Sequence, residues 1–187
     1  MKHIVGAVNL SNLYLKEIPE ILNGVHVKGD FDVSFNILRS LNNSPVKVDG
    51  AFKCMYNRNL KSLLGGPKEV KSLNANNCSL RDLSGIPNFS TPLINTGNID
   101  LSSNQLTSLV GLPTKVFGKL SIYNNPGLKT LNGCSEHIKG DFEALWLSIT
   151  NCIGGPKYVG GDLYLHDTEI NSLEGFIRQV IGWREFM

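Results

Sequence analysis

The sequence predicts a repeat solenoid with a parallel β-sheet on one face and irregular or 3₁₀ coil on the other. The first observation is a motif of about 21 residues that recurs along most of the 187-residue chain. The second is a short apolar–polar alternation in each copy, which is typical of a strand with one buried face. The third is the supply of 19 glycines and 8 prolines, which suits a chain that turns at short intervals. Stacked copies can share an interior that a single short strand cannot form.

The repeat is clearest from Ile99 to Val116, where apolar residues occupy positions 99, 101, 106 and 109 and Asn occupies 104. This is the pattern L-x-L-x-x-N-x-L-x-x-L. Its copies can be anchored on the first inward apolar residue of each predicted strand: Phe31, Phe52, Leu73, Ile99, Leu120, Phe142 and Leu163. The anchors follow at steps of 21, 21, 26, 21, 22 and 21 residues, and Leu10 predicts a degenerate first copy 21 residues before Phe31.

Further positions keep the same phase as the anchors. A glycine usually lies two residues before the anchor, and an apolar residue lies four before it. Four copies end on a Gly-x-Pro turn: Gly65–Pro67, Gly85–Pro87, Gly111–Pro113 and Gly154–Pro156. An Asn position contains Asn36, Asn57, Asn104 and Asn125, with Asn76 or Asn77 in the Leu73 copy. An Asn side chain at such a bend can bond backbone groups of neighbouring coils that would otherwise be buried unpaired.

These positions resemble the leucine-rich-repeat family over residues 8 to 175. The short period and the Leu-x-Ser-Leu-x-Gly-x-Pro element resemble the repeats of bacterial effector proteins, and still more those of uncharacterised proteins of large tailed phages. Because the family is mostly a binding scaffold, the resemblance implies a non-catalytic solenoid that binds another protein. It also implies a host-directed role, in which a phage-encoded inhibitor covers the active surface of a bacterial defence enzyme in the host cytoplasm.

The chain is interpreted as a single domain, with repeats over residues 25–173 between two caps. Solenoids need caps because their cores are exposed at both ends. Residues 1–24 are the predicted N-terminal cap, in which four apolar side chains are expected to pack: Leu13, Leu15, Ile18 and Ile21. Residues 174–187 are predicted to form a short amphipathic helix over the last coil, with apolar residues at helical spacing: Phe176, Ile177, Val180, Ile181 and Trp183.

The copies depart from the pattern at a few places. The 26-residue step before Ile99 contains five extra residues, which predict a loop over Asn88–Thr96. The Phe142 copy has Leu147 at the Asn position and Cys152 in place of the closing leucine, and the next copy has Thr168 at the Asn position. The Asn ladder is therefore predicted to be incomplete in the last two copies.

The outward positions of the last three copies form the candidate partner-binding surface. Early and middle copies carry mostly small polar residues there, whereas the late copies carry aromatic and apolar residues with acidic neighbours. The surface consists of Tyr123, Leu145, Trp146, Tyr164 and His166, with Asp141, Glu143 and Asp162 at its rim. Aromatic residues ringed by charge have the composition of a protein-interface hot spot. The alternative is that Leu145 and Trp146 belong to an irregular copy and point into the core.

The sequence contains no recognisable catalytic or metal-binding motif, and the interpretation assigns no enzyme activity, cofactor or metal. The acidic residues of the strand face lie in distant copies without a His or Ser partner, which favours a solvated face. The four histidines share no metal-ligand spacing. Cys54 occupies an inward strand position and is interpreted as a core residue, so no activated nucleophile is indicated.

Charge and composition argue against nucleic-acid and membrane partners. The net charge is +2, whereas a nucleic-acid surface needs clustered Lys and Arg. Turn lysines at the repeat spacing are interpreted as a solubilising surface: Lys47, Lys68, Lys71, Lys115 and Lys157. No apolar run reaches transmembrane length, no signal peptide is apparent, and the four cysteines lack Cys-x-x-Cys spacing. A reducing, cytoplasmic compartment is therefore expected.

The main alternative function is structural. In that interpretation the protein is a virion or assembly component that associates with its own copies through its ends. The C-terminal tail is the predicted contact, because Phe186 and Met187 are unusual residues to leave in water.

Overall fold

The computed structural model describes residues 2–89, 97–172 and 174–175, which form a parallel β-solenoid of about seven turns with almost no helix. Each coil contributes one short strand to a front sheet of eight strands, which pair in sequence order. Numbered along the chain together with the back strands, they are β2 (Val8–Asn9), β4 (Phe31–Asp32), β6 (Ala51–Lys53), β8 (Ser72–Asn74), β10 (Ile99–Asp100), β12 (Leu120–Ser121), β14 (Phe142–Glu143) and β16 (Leu163–Tyr164).

The register of the front sheet confirms the predicted anchors from Phe31 onward. The Cα partners continue in one file through Phe31, Phe52, Leu73, Ile99, Leu120, Phe142 and Leu163. Phe31 and Phe52 are 0% and 1% exposed, and their rings stack with centroids 5.7 Å apart. The anchors therefore form the centre of a continuous core.

The predicted anchor of the first copy, Leu10, is wrong by two residues. Val8 is the Cα partner of Phe31, and the Leu10 amide donates to Asp32 O at 2.7 Å. Side chains two residues apart lie on the same face of a strand, so the apolar alternation does not distinguish Val8 from Leu10. The first step is 23 residues.

The back of the coils is more regular than the predicted irregular or 3₁₀ coil. It carries two ladders of parallel strands, β1 (His3–Ile4), β3 (His26–Val27), β5 (Lys47–Val48), β7 (Glu69–Val70) and β9 (Asn88–Phe89), and then β11 (Lys115–Val116), β13 (His137–Ile138) and β15 (Tyr158–Val159). Within the described residues, 3₁₀ geometry occurs at Glu20–Leu22. Six of the eight back strands bury a single inward residue, such as Val27 or Ile138, so no alternation is visible in the sequence.

Buried asparagines join neighbouring coils at the bend after the front strands, as predicted. Asn57 is fully buried, and its Nδ2 donates to Cys54 O at 2.9 Å and, in the preceding coil, to Val33 O at 3.0 Å. Its Oδ1 accepts from the Leu38 amide of the preceding coil at 3.1 Å. Equivalent bonds are made by Asn36, Asn104 and Asn125.

In the Leu73 copy this position belongs to Cys78, so the prediction of Asn76 or Asn77 is wrong. Cys78 Sγ donates to Cys54 O at 3.3 Å, which reproduces one of the Asn bonds. A thiol lacks the amide oxygen that would accept from the preceding coil, and the Leu60 amide donates instead to Asn57 O at 2.9 Å.

The last two copies lack Asn at this position, as predicted. Leu147 is 3% exposed there, and the Leu128 amide donates to Asn125 O at 3.0 Å. Thr168 Oγ1 donates to Leu165 O at 2.8 Å within its own coil. Where the next coil has Cys78 or Leu147 instead of Asn, the Leu60 and Leu128 amides are therefore satisfied by a local turn.

Replacing Cys78 with Asn is expected to raise the free energy of unfolding by about 1 kcal/mol, because the new amide can bond both Cys54 O and the Leu60 amide. Urea unfolding at neutral pH measures the change. The matched control is Cys152→Asn at a closing-leucine position that is 3% exposed, where an unpaired amide is expected to destabilise the fold by about 1–3 kcal/mol. If both substitutions lower the free energy of unfolding, an Asn at position 78 does not stabilise the neighbouring coils as expected.

The chain bends at a residue of positive φ immediately before the Asn position. Residues in this left-handed conformation include Asn12, Phe35, Tyr56, Asn77, Ser103, Asn124, Trp146 and Asp167. Short polar side chains such as Asn and Asp enter this region most easily, so the aromatic residues are exceptions.

The four Gly-x-Pro segments form turns after the closing residues Leu63, Leu83, Leu109 and Cys152. Gly85 has a φ of +82°, and the Ile86 amide donates to Leu83 O at 3.0 Å. Gly65, Gly111 and Gly154 also have positive φ. This combination is that of a type II turn, whose third position needs positive φ and is usually Gly.

The two ends differ in how far the structure describes them. In the predicted N-terminal cap, Ile18 is fully buried and Leu15 packs against the core, but Leu13 and Ile21 are exposed. These two side chains do not pack as expected. In the predicted loop over Asn88–Thr96, the first two residues instead form β9, and residues 90–96 lie outside the described residues, as does residue 173. The predicted helix over 174–187 also lies outside them beyond residue 175, with the apolar tail residues.

Candidate contact surface

The late-coil patch, defined by the eight predicted surface residues, lies on the front face of the last three coils. Its members are Tyr123, Leu145, Trp146, Tyr164, His166, Asp141, Glu143 and Asp162. Glu143 and Tyr164 are Cα partners in β14 and β16. The Asp162 amide donates to Asp141 Oδ1 at 2.8 Å. Since paired strands lie about 4.8 Å apart, equivalent side chains of neighbouring coils form rows along the sheet.

Trp146 is exposed, and the alternative in which Leu145 and Trp146 point into the core is wrong. Trp146 is 53% exposed, and Leu145 is half-buried. The φ of Trp146 is +52°, and the following residue, Leu147, takes the inward position. The Trp146 ring meets the Tyr123 ring edge-on, with centroids 6.0 Å apart and an interplanar angle of 79°. The two rings therefore support each other across adjacent coils.

Asp167 lies beside this patch, although the sequence pattern did not identify it as a surface residue. His166 Nδ1 lies 2.7 Å from Asp167 Oδ2. The hydrogen bond with His166, assisted by one from the Trp146 side chain, lowers the pKa of Asp167 even though desolvation acts in the opposite direction. Asp167 occupies the left-handed bend, which strand alternation does not identify as an outward position. The signal that could have found it is its 21-residue spacing from Trp146.

The acidic rim is only partly neutralised. Glu143 accepts from Lys119 Nζ at 3.0 Å and from Ser121 Oγ at 2.8 Å. Partial burial alone would lower the pKa of Lys119, but the hydrogen bond and charge of Glu143 raise it. Tyr164 OH donates to Asp162 Oδ2 at 3.3 Å. Desolvation, followed by the negative charges of Asp162, Asp141 and Glu143, raises the pKa of Tyr164.

The described residues contain no group of three or more His, Cys, Asp or Glu side chains that could hold a metal ion. Three of the four cysteines are also poorly suited to nucleophilic attack, whereas the hydrogen bond with Cys54 lowers the pKa of Cys78. Hydrogen bonding to Cys78, together with burial, raises the pKa of Cys54. Burial raises the pKa of Cys134 to about 12 and also raises that of Cys152. These three thiols therefore stay protonated at neutral pH.

A second exposed aromatic group lies at the other end of the front face. The sequence pattern did not identify it. The Phe35 and Tyr56 rings stack with centroids 4.6 Å apart and an interplanar angle of 10°. Phe35 is 46% exposed and Tyr56 is 37% exposed. These two residues, the early aromatic pair, occupy the same left-handed bend as Trp146, so alternation along the strand did not mark them.

Two of the five lysines interpreted as a solubilising surface are paired with carboxylates on the back face. Lys47 pairs with Glu69 at 2.9 Å, and Lys157 pairs with Glu136 at 2.9 Å. On the front face, Lys53 pairs with Asp30 at 2.9 Å.

The arrangement thus offers exposed rings and carboxylates on an in-register sheet. Within residues 2–89, 97–172 and 174–175, no helix has the length and hydrophobicity to span a bilayer.

No protein-family model, curated protein or solved structure matches this chain.

Proposed function

We propose that the protein is a non-catalytic binding solenoid that holds another protein through the late-coil patch. The observation that carries this proposal is Trp146, which is held exposed against Tyr123 in a backbone conformation unfavourable for a bulky side chain. Five of the other coils place Asn, Ser or Asp at this bend, and two early coils place Phe35 and Tyr56 there. Strained, exposed aromatic residues are a reason to infer function, because stability alone would favour a smaller polar residue.

The scaffold suits such a role. The front strands pair in register from β2 to β16, and buried asparagines bond successive coils. A surface that is rigid before binding loses little conformational entropy when a partner docks. Trp and Tyr side chains are also the residues that most often dominate binding energy at protein interfaces.

The leucine-rich-repeat assignment and the host-directed role belong to the same proposal. The closing leucines, the Asn ladder and the type II turns support the assignment to leucine-rich repeats. A phage-encoded inhibitor that covers the active surface of a bacterial defence protein remains the concrete version of the role, and it rests on the sequence resemblance. In that version the partner is a cytoplasmic protein of the bacterial host.

Substituting Trp146 by Ala is expected to weaken partner binding about 30-fold or more, because removal of a central aromatic residue typically costs at least 2 kcal/mol. Affinity capture from bacterial lysate with mass spectrometry identifies the partner, and titration of the purified pair measures the affinity. Tyr164→Ala, in the neighbouring coil, is expected to weaken the same complex. The melting temperatures should remain close to that of the wild type, since both side chains lie on the outer face.

The matched control is Phe35→Ala, which removes an aromatic residue of similar exposure from the same bend in an early coil. It should leave the captured partner unchanged. Loss of the partner in Phe35→Ala but not in Trp146→Ala would move the contact to the early aromatic pair. Loss of folding in Trp146→Ala would assign this residue to the core and overturn the proposal.

Self-association is the second candidate function, and one observation favours it. β1 and β2 are edge strands of their sheets in the described structure, and Val5 and Ile21 nearby are 86% and 77% exposed. Open strand edges with apolar neighbours can pair with another copy of the chain. Light scattering over a range of protein concentrations distinguishes the two, because the binding proposal expects a constant mass and self-association expects a rising one.

A further inference from the structure

The charge of the late-coil patch is one-sided. Lys119 is the only lysine or arginine among the nine outward positions of the last three front strands, at 119, 121, 123, 141, 143, 145, 162, 164 and 166. It is paired with Glu143. Within the described residues, no lysine or arginine lies within ion-pair distance of Asp141 or Asp162. The patch therefore carries an excess of negative charge.

The carboxylates converge on one place. Tyr164 is the Cα partner of Glu143, and its hydroxyl donates to Asp162, whose amide in turn donates to Asp141. Three carboxylates from two adjacent coils therefore surround the Tyr164 side chain. A cation bound at this position would interact favourably with all of them.

An aromatic ring lies further along the same coils. Trp146 is in the coil of Asp141 and Glu143, and its ring is supported by Tyr123. Asp167, one coil further, hydrogen-bonds to His166, and the Trp146 side chain helps to lower the pKa of Asp167. The face of a Trp ring attracts Lys and especially Arg, and a neighbouring carboxylate can pair with the guanidinium of a bound Arg at the same time.

We propose that the late-coil patch binds an arginine- or lysine-rich segment of the partner protein, with one cationic side chain over the Trp146 ring and others beside Asp162 and Glu143. The inference rests on the proposed binding function and adds the chemical class of the segment that is bound. An acidic segment would meet like charges, and a neutral one would leave the carboxylates without a partner. Charge complementarity of this kind sets specificity and the association rate.

The test uses the full chain and a rhodamine-labelled peptide of alternating Gly and Arg, with Gly–Glu and Gly–Ser peptides of equal length as comparisons. Fluorescence anisotropy should show binding of the Gly–Arg peptide alone, and added salt should weaken it because the charges are partly exposed. Asp162→Asn and Glu143→Gln are each expected to weaken binding by about two- to fivefold. Trp146→Ala is expected to weaken it by about two- to fivefold.

The control is Asp32→Asn, which removes a carboxylate from the same outward row of the front sheet in an early coil. Its affinity for the Gly–Arg peptide should equal that of the wild type. If Asp32→Asn weakens binding of the Gly–Arg peptide as much as the patch substitutions do, the effect is one of overall charge and the proposal is overturned. Equal binding of all three peptides, or no binding of the Gly–Arg peptide, would overturn it as well.

Failure of this inference can be separated from failure of the proposed function. If the captured partner is lost in Trp146→Ala but retained at full affinity by the Asp162→Asn, Glu143→Gln double variant, the binding function stands and the basic segment is excluded. If the partner is retained in both Trp146→Ala and Tyr164→Ala, the proposed function itself fails.

Discussion

Replacing Gly85 with Ala is expected to lower the free energy of unfolding by about 2–5 kcal/mol. Gly85 has a φ of +82°, where an L side chain costs about 1–2 kcal/mol. A Cβ at this position would overlap the Leu64 backbone nitrogen and lie 2.6 Å from Leu63 O. Because this neighbour is backbone of the preceding coil, the coils would have to separate, at a further cost of about 1–3 kcal/mol.

Gly24→Ala isolates the two contributions. Gly24 also has a positive φ, of +72°, but no heavy atom lies within 4 Å of the position of a Cβ. It should therefore lose about 1–2 kcal/mol from the backbone conformation alone. Urea unfolding of the two variants measures the difference. Equal losses would show that adjacent coils do not approach each other as closely as described.

Replacing Asn57 with Ala is expected to lower the free energy of unfolding by about 2–4 kcal/mol. Asn57 is fully buried, and its loss leaves the carbonyls of Val33 and Cys54 and the Leu38 amide without its bonds. Each buried polar group that loses its partner costs about 1–3 kcal/mol. The amide can recover part of this cost by a local turn, as Leu60 does beside Cys78, so the expected total is below the sum.

The control for Asn57→Ala is Asn42→Ala, because Asn42 is exposed in the turn of the same region. It should change the free energy of unfolding by no more than about 0.5 kcal/mol. Thermal unfolding followed by circular dichroism gives an independent check. If Asn57→Ala leaves the free energy of unfolding unchanged, the buried asparagines do not contribute to stability.

The front face could be predicted from the sequence because each strand there has two inward residues. Phe31 and Val33, for example, alternate with polar neighbours, and both are fully buried. The back ladders could not be predicted, since a strand such as His26–Val27 shows a single buried residue. Register at the N-terminal end was also ambiguous, because Val8 and Leu10 lie on the same face of one strand.

The candidate site was predictable in the same limited sense. Alternation placed Tyr123, Glu143 and Tyr164 on the outer face. It did not reveal that Trp146 occupies a left-handed bend, because that depends on which residue takes the next inward position. The contact of Asp167 with the Trp146 side chain joins two coils, and the Phe35–Tyr56 stacking does so as well. Such contacts depend on how neighbouring coils align, which cannot be inferred from a single copy of the motif.

A nuclear Overhauser measurement on protein with labelled Ile and Leu methyl groups tests directly whether the coils share one interior. The central claim is that coils of unequal length bring the anchors into one file, and Ile99 is the decisive residue because 26 residues separate it from Leu73. We expect the Ile99 methyl groups to show contacts to those of Leu73 on one side and Leu120 on the other. Contacts of Ile99 to neither residue would contradict the shared interior on which the fold and the contact surface depend.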